Sequence, residues 1–432
     1  MRLNNTLYLF TEQFPFGLNS EKAFLSNEIK YLKNKFENII IIPRVINHEQ
    51  TTIGEFQIDI TLSQKLNSKN KILLIIASLS SSYLYKELIS KNIIFWNFDR
   101  LKKLIYFTAR THQVNNWVKK KIKNNSKENC IFYTYWTNDI TLGLVKPAKD
   151  NEIKLFSRAH GHDLYEDFYD YLPCYKRIVS GVHKLFPVSK IGYNYLINKY
   201  PKHKNKITLS YLGVKVAPVS CSYSKDDHIR IVSCSYIIPL KRINLIISGI
   251  QEFIKLYDKK IIWTHFGDGE LYDDIKNQAK KVNDERFKYV LKGFIDNNDL
   301  LKYYQLNPVD LFITTSESEG VPISLLEAQA HGIPVIGTNV GGIPEIINEK
   351  VGILLSTNPK TVEIADAINY ISSDKDRFDR MKKNSFSNWE ENFNADKNFD
   401  FFTTELLSLF KENFYDKKTD HKKINSGDHS IN

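Results

Sequence analysis

Residues 315–347 read TSESEGVPISLLEAQAHGIPVIGTNVGGIPEII, and the spacing of turns, apolar runs and acids within them decides the fold. Gly320 permits a sharp turn, and Pro322 suits the first position of a helix because its missing N–H is not needed there. The helix runs to about Ala330, and Gly332 fits its C-terminal cap. Residues 334–337 read as a buried strand, after which Gly341, Gly342 and Pro344 repeat the loop-to-helix device. Glu319 therefore stands in the loop ahead of the first helix, and Glu327 in its second turn. Two helix N-termini open on one edge of a sheet, and their unpaired N–H groups and partial positive charge suit a phosphate.

Outward from this stretch the same alternation continues. Strands are expected at 229–234, 261–266, 289–292, 311–314 and 352–355, with helices at 245–256, 300–304 and 361–372. The first half reads less cleanly. It suggests strands at 5–10, 39–43, 130–136, 153–161 and 185–189, and helices from Glu21, across 71–125 and at 191–200. Such alternation builds parallel sheets with helices on both faces. A chain of 432 residues also exceeds one typical core. We expect a first domain at 1–212, a linker at 213–228, a second domain at 229–390, a final helix at 391–415 and a disordered polar tail at 416–432.

Apolar residues at 42% and charged residues at 25% fit a soluble globular chain. No apolar run approaches the roughly 20 residues that span a bilayer. The first residues lack a signal-peptide pattern, with Glu12 where an apolar core should continue. Cys130, Cys174, Cys221 and Cys234 show neither metal-ligand spacing nor a paired motif, which points to a reducing, cytoplasmic compartment. Charge is uneven: residues 1–212 hold 32 Lys and Arg against 17 Asp and Glu, whereas 213–432 hold 28 against 32. A basic half suits an acidic partner such as an anionic membrane surface or a lipid diphosphate. No nucleic-acid-binding motif accompanies it. Leu101, Leu104, Ile105, Trp117 and Val118 interleave with Lys102, Lys103, Lys119, Lys120, Lys121 and Lys123. They make either a peripheral membrane face or a core face backed by solvated lysines.

Carboxylates at the two helix openings favour hydroxyl partners over a second anion, and phosphate plus polyhydroxyl describes a nucleotide sugar. Glu319-x7-Glu327 followed by Gly341-Gly342-x-Pro344-Glu345 resembles the donor site of retaining glycosyltransferases of the family 4 type, the glycosyl transferases group 1. The resemblance implies an α/β fold of the GT-B type, with two facing doubly wound Rossmann-like domains, parallel sheets and a last helix crossing back to the first domain. It implies a nucleotide-sugar donor, with Glu319 facing the sugar and Glu327 the ribose diol. The backbone about Gly320, Val321, Ile323, Ser324, Gly341 and Gly342 would contact sugar or phosphate. Gly17 in the first loop would border the phosphates, and Gly293 and Phe294 the base. Lys241 matches the family's diphosphate lysine, but Tyr236 stands where the family has an Arg, so one cation is missing. His160 matches a His that lies against the donor hydroxyls, and Arg158 and Asp163 beside it are acceptor-side candidates.

Glu319, Lys241 and His160 are then the expected catalytic set. Without an Asp-x-Asp pair, neither metal nor cofactor is expected. The resemblance further implies a saccharide or polyprenyl-diphosphate-linked acceptor at the inner face of the cytoplasmic membrane, in the synthesis of a cell-surface polysaccharide or glycolipid such as capsule or lipopolysaccharide. Two other readings fit the same architecture: a nucleotide-sugar epimerase, and a non-catalytic sugar-nucleotide-binding partner subunit, the latter because of Tyr236. Glu21 and Glu28 read as ordinary helix-start capping and solvation.

Overall fold

The computed structural model describes residues 3–16, 20–46, 56–67, 70–91, 97–124, 130–166, 170–216 and 221–408. Gly17 and the tail at 416–432 lie outside these residues. The chain divides into two units, each with its own sheet. The first takes the described residues up to Val188, Gly192–Ser210 and those from Phe399; the second takes Ser189–Ile191 and Tyr211–Asn398. Apart from Ser189–Ile191, the chain leaves the first unit at 210/211 and returns to it at 398/399. Trp389 and Phe393 stay in the second unit, where Trp389 Nε1 donates to the Val214 carbonyl at 3.1 Å and Val214 N–H to the Phe393 carbonyl at 3.0 Å. Phe402 and Leu406, on a helix described over 395–408, fill the first core instead. Phe402 meets Phe186 edge-on with ring centres 5.0 Å apart.

The first sheet contains β1 (Leu3–Thr11), β2 (Phe36–Pro43), β3 (Gln57–Ile58), β4 (Cys130–Thr134), β5 (Lys154–Ala159) and β6 (Lys184–Pro187), in the order β3-β2-β1-β4-β5-β6. The second contains β7 (His228–Cys234), β8 (Lys260–Phe266), β9 (Phe287–Leu291), β10 (Leu311–Thr314), β11 (Val335–Thr338) and β12 (Gly352–Leu355), in the order β12-β11-β10-β7-β8-β9. Every pairing in both is parallel. Both sheets follow one plan: three strands run outward from the centre, and the fourth returns to the other side of the first. The strand order reverses at β1/β4 and again at β7/β10. Loops leaving neighbouring strands diverge there, which opens a crevice at the C-terminal edge where ligands bind in open α/β sheets.

The apolar patterning explains the layers. Ile243, Ile246, Ile247, Ile250, Phe253 and Ile254 lie on one face of helix Ile243–Leu256 and are all buried against the second sheet. Each such side chain contributes roughly 1.5–3 kcal/mol by leaving water. In the first unit, helix Phe98–Asn124 resolves the two readings of its Lys-rich stripe. Leu104, Trp117 and Val118 are buried, and Trp117 Nε1 donates to Thr61 Oγ1 at 2.9 Å. Leu104, Trp117 and Val118 thus form a core face, and for these three residues the core reading holds over the membrane one.

Candidate active site

The second unit's site grows from its switch point. β10 ends at Thr314, and buried Thr315 and Ser316 carry the chain into the loop that holds Glu319. Beside it β7 ends at Cys234, and its loop closes in a short turn, Pro239–Lys241. Lys241 Nζ reaches Glu319 Oε1 at 2.5 Å, and Ser316 Oγ donates to the same oxygen at 2.6 Å. The two side chains expected to act on the donor are therefore an ion pair, 18% and 13% exposed. Arg242 adopts a left-handed conformation and turns the other way. Its guanidinium donates to the carbonyls of Thr315 (2.7 Å), Ser316 (2.9 Å) and Thr357 (2.9 Å), stapling the loop that carries Glu319.

The two glycine loops touch. Gly342 N–H donates to the Gly320 carbonyl at 2.8 Å. Gly341 has φ +53°, and a Cβ there would lie 1.7 Å from the Glu319 carbonyl oxygen; one on Gly342 would lie 2.3 Å from that of Gly320. Only glycine permits this approach. The openings are unequal, however. Helix Ile323–Ala330 has eight residues and no side-chain cap, whereas the second is a single turn, Ile343–Ile346. One turn aligns few peptide dipoles, so the anion-favouring field comes mainly from the first opening. Pro322 is the cap residue rather than the first helical one, and Gly332 follows the helix with φ +70°.

Glu327 lies deeper, 3% exposed, and Asn297 Nδ2 donates to its Oε1 at 2.5 Å. Burial pushes its carboxyl up to about 7, and the Asn297 bond pulls only weakly against this. Tyr236, in the loop after β7, is 48% exposed. Gly293 has φ +67° and accepts a bond from Gly267 N–H at 2.8 Å; Phe294 beside it is 59% exposed. Because the sheet is parallel, all of these loops share its C-terminal edge.

In the first unit the switch point gathers the loops after β1, β4 and β5. Asp163 ties two of them, accepting from Thr137 N–H at 2.6 Å and His160 N–H at 2.5 Å. Burial pushes its carboxyl up to about 8 despite those bonds. His160 packs at a tilt against Trp136 and Tyr135, with ring centres 4.2 and 4.9 Å away. Both of its ring nitrogens are buried without a hydrogen-bond partner among the described residues. Burial holds the ring well below its ordinary value, so it is neutral near pH 7 and offers one donor and one acceptor. A cavity of about 470 Å³ opens beside it, lined by Glu12, Arg44, Trp136, His162, Asp163 and Tyr175 among others.

Arg158 must be corrected. It is fully buried, with Nε 2.9 Å from both Glu28 Oε2 and the Tyr133 hydroxyl, and its guanidinium lies 3.9 Å from the centre of the Phe402 ring. Its strand register turns it into the core, where no acceptor can reach it. Glu28 is likewise a buried partner rather than a solvated acid. Glu21 is a loop clamp: its carboxylate accepts from the N–H groups of Glu12, Gln13 and Phe14 at 2.7–2.8 Å and from Trp136 Nε1 at 2.7 Å.

Residues 222–387 match the family model described as Glycosyl transferases group 1. The second unit is a group 1 glycosyltransferase domain. The chain is 28% identical over 183 residues to the N-acetyl-alpha-D-glucosaminyl L-malate synthase of Bacillus anthracis, a match covering 42% of this chain and 44% of that protein. It is 25% identical over 257 residues to the O-antigen biosynthesis glycosyltransferase WclY of Escherichia coli, covering 55% and 68%. It thus spans less than half the length of the Bacillus relative. Among solved structures, the lipopolysaccharide outer core galactosyltransferase WaaB superposes with a TM-score of 0.67 at 14% identity, covering 94% of this chain and 99% of that one. HepE of Anabaena, solved with UDP and glucose, gives 0.59 at 14% identity over 93% and 99%. These likenesses establish the GT-B fold.

Within the group 1 domain, sequence reasoning missed Ser316 and Asn297 as partners of the site. Ser316 stands three residues before Glu319, in the same loop. Asn297 acts from a loop distant in sequence and left no signal.

Proposed function

We propose that the chain is a retaining glycosyltransferase that moves a sugar from a nucleotide-diphosphate sugar to a saccharide or lipid-linked acceptor, in the synthesis of a cell-surface polysaccharide or glycolipid. The observation that carries this reading is the Lys241–Glu319 pair at a switch point, beneath two glycine loops in contact. A cation stabilises the charge that develops on the departing diphosphate. Glu319, held by Lys241 and Ser316, has a second oxygen to receive a sugar hydroxyl. Glu327 is a buried acid short of partners, which the two hydroxyls of a ribose would satisfy. The UDP bound in HepE supports a nucleotide of this kind.

His160 takes the role of a neutral sugar-facing group, and the first unit's cavity, with Trp136 and Asp163, that of an acceptor site. An aromatic face beside a buried carboxyl group suits a saccharide. In this reading a leaving-phosphate oxygen takes the acceptor proton on the face it departs from, so neither a protein nucleophile nor a metal is needed. Tyr236 occupies the missing cation's place with a hydroxyl donor. The test is turnover of UDP-, GDP- and ADP-sugars with an acceptor panel, with and without EDTA. Transfer with retained configuration and insensitivity to EDTA is expected. An epimerised donor without acceptor, or tight donor binding without any turnover, would overturn it.

A further inference from the structure

Helix Lys71–Leu79 presents an apolar surface that no described residue covers. Only Leu74 and Ser78, one turn apart, face inward, and Ser78 Oγ meets Thr108 Oγ1 at 2.8 Å. Ile72 is 68% exposed, Leu73 52%, Ile75 48%, and Ile76 and Leu79 54% each. Single exposed apolar side chains are ordinary. Five large ones on a nine-residue helix make a patch on the order of several hundred Å², the size that marks an interaction surface. Nearby in the chain, Ile89 and Phe98 are 85% and 79% exposed.

The charges are ordered around this patch. From Ile72 to Tyr85 the chain has no charged residue, and exposed Lys71 and Lys86 flank the run. Lys102, on the neighbouring helix that begins at Phe98, is also exposed. The basic excess of the whole chain lies in this half.

We propose that this face docks on an anionic bilayer, burying the outward side of Lys71–Leu79 at the headgroup–acyl boundary with Lys71, Lys86 and Lys102 on lipid phosphates. An uncharged apolar strip between cations repeats the order of a lipid monolayer, whereas a protein partner would need polar groups to fix its register. Tyr85 (48% exposed) and Phe98 supply aromatic rings at interfacial depth. The geometry is interfacial. Nine helical residues rise about 14 Å, roughly half the hydrocarbon core, and the next helix, Ser82–Ser90, bends away by 70°. No single helix among the described residues is long and apolar enough to cross a membrane. Docking of this face is independent of the donor chemistry.

Co-sedimentation of the full chain with vesicles of phosphatidylcholine, with and without phosphatidylglycerol, tests it without donor or acceptor. Binding to the anionic vesicles is expected, falling about tenfold on the neutral ones or at high salt. Ile72→Asp with Ile76→Asp should reduce partitioning at least tenfold while melting within a few degrees of the wild type, because both side chains are more than half exposed. Lys71→Glu with Lys86→Glu should reduce it about tenfold and remove most of the salt dependence. Wild-type protein left in the supernatant with both vesicles would overturn the proposal. So would unchanged binding by both double variants, or a dimer in gel filtration that Ile72→Asp with Ile76→Asp converts to monomer.

Discussion

Replacing Glu327 by Gln should stabilise the second unit at pH 8 and leave it almost unchanged at pH 4. The carboxyl is 3% exposed, and burial raises it to about 7 from an ordinary 4.5. Between those values the folded chain holds a proton that the unfolded chain has released. Wild-type stability therefore falls as pH rises through this window, and the whole penalty is present above about 7. Its size is roughly 3 kcal/mol. Gln keeps the shape and an oxygen for Asn297 but carries no charge. The advantage of Glu327→Gln over wild type should thus grow from near zero at pH 4 to roughly 3 kcal/mol at pH 8. Subtracting wild type at each pH removes the contributions of other raised acids such as Glu12 and Asp163. Urea unfolding followed by circular dichroism at pH 4, 6 and 8 measures the difference. A pH-independent difference, or a variant less stable at pH 8, would refute the assignment of a buried, strained carboxyl. An acid kept at such a cost is expected where a ligand satisfies it.

In the proposed donor site the same carboxyl should set the pH dependence of donor binding. Ribose hydroxyls donating to Glu327 would return it toward its ordinary range, so binding should release a proton and tighten between pH 6 and 8; calorimetry in buffers of different ionisation heat reads this directly. Lys241→Ala should cut transfer by roughly 10²-fold, and steady-state rates that stay within twofold would remove it from the diphosphate. Arg158→Met should cost about 3–5 kcal/mol by leaving Glu28 in the core without its cation, while adding Glu28→Leu should recover most of it, as chemical denaturation will show. Gly341→Ala meets a left-handed conformation worth roughly 1–2 kcal/mol and a carbonyl 1.7 Å away. It should lower both melting temperature and donor affinity.

Much of the group 1 domain was legible because its signals are local. Strand boundaries at 229–234, 261–266 and 311–314 agree with the observed strands within one residue at each end. Buried parallel strands are short apolar runs between turn residues, and each can be read without its neighbours. The first half was harder. Its 27-residue helix carries apolar residues on more than one side, and periodicity alone does not say which side is covered. Hence Leu104, Trp117 and Val118 read as either core or membrane face. Glu21, Glu28 and Arg158 were misjudged for one reason: a charged residue looks solvated until its buried partner, many residues away, is known.

By itself the sequence determined the alternation of strands and helices, the two glycine loops and the acids placed beside them, since these follow from backbone conformation and from spacing along one segment. Tertiary structure decided which charges meet. Lys241 and Glu319 are 78 residues apart and bond only because β7 and β10 become neighbours where the strand order reverses. Arg158 faces the core because its strand lies beneath a helix from the chain's far end. Long-range pairing of that kind depends on the closing of the sheet, which no local pattern encodes.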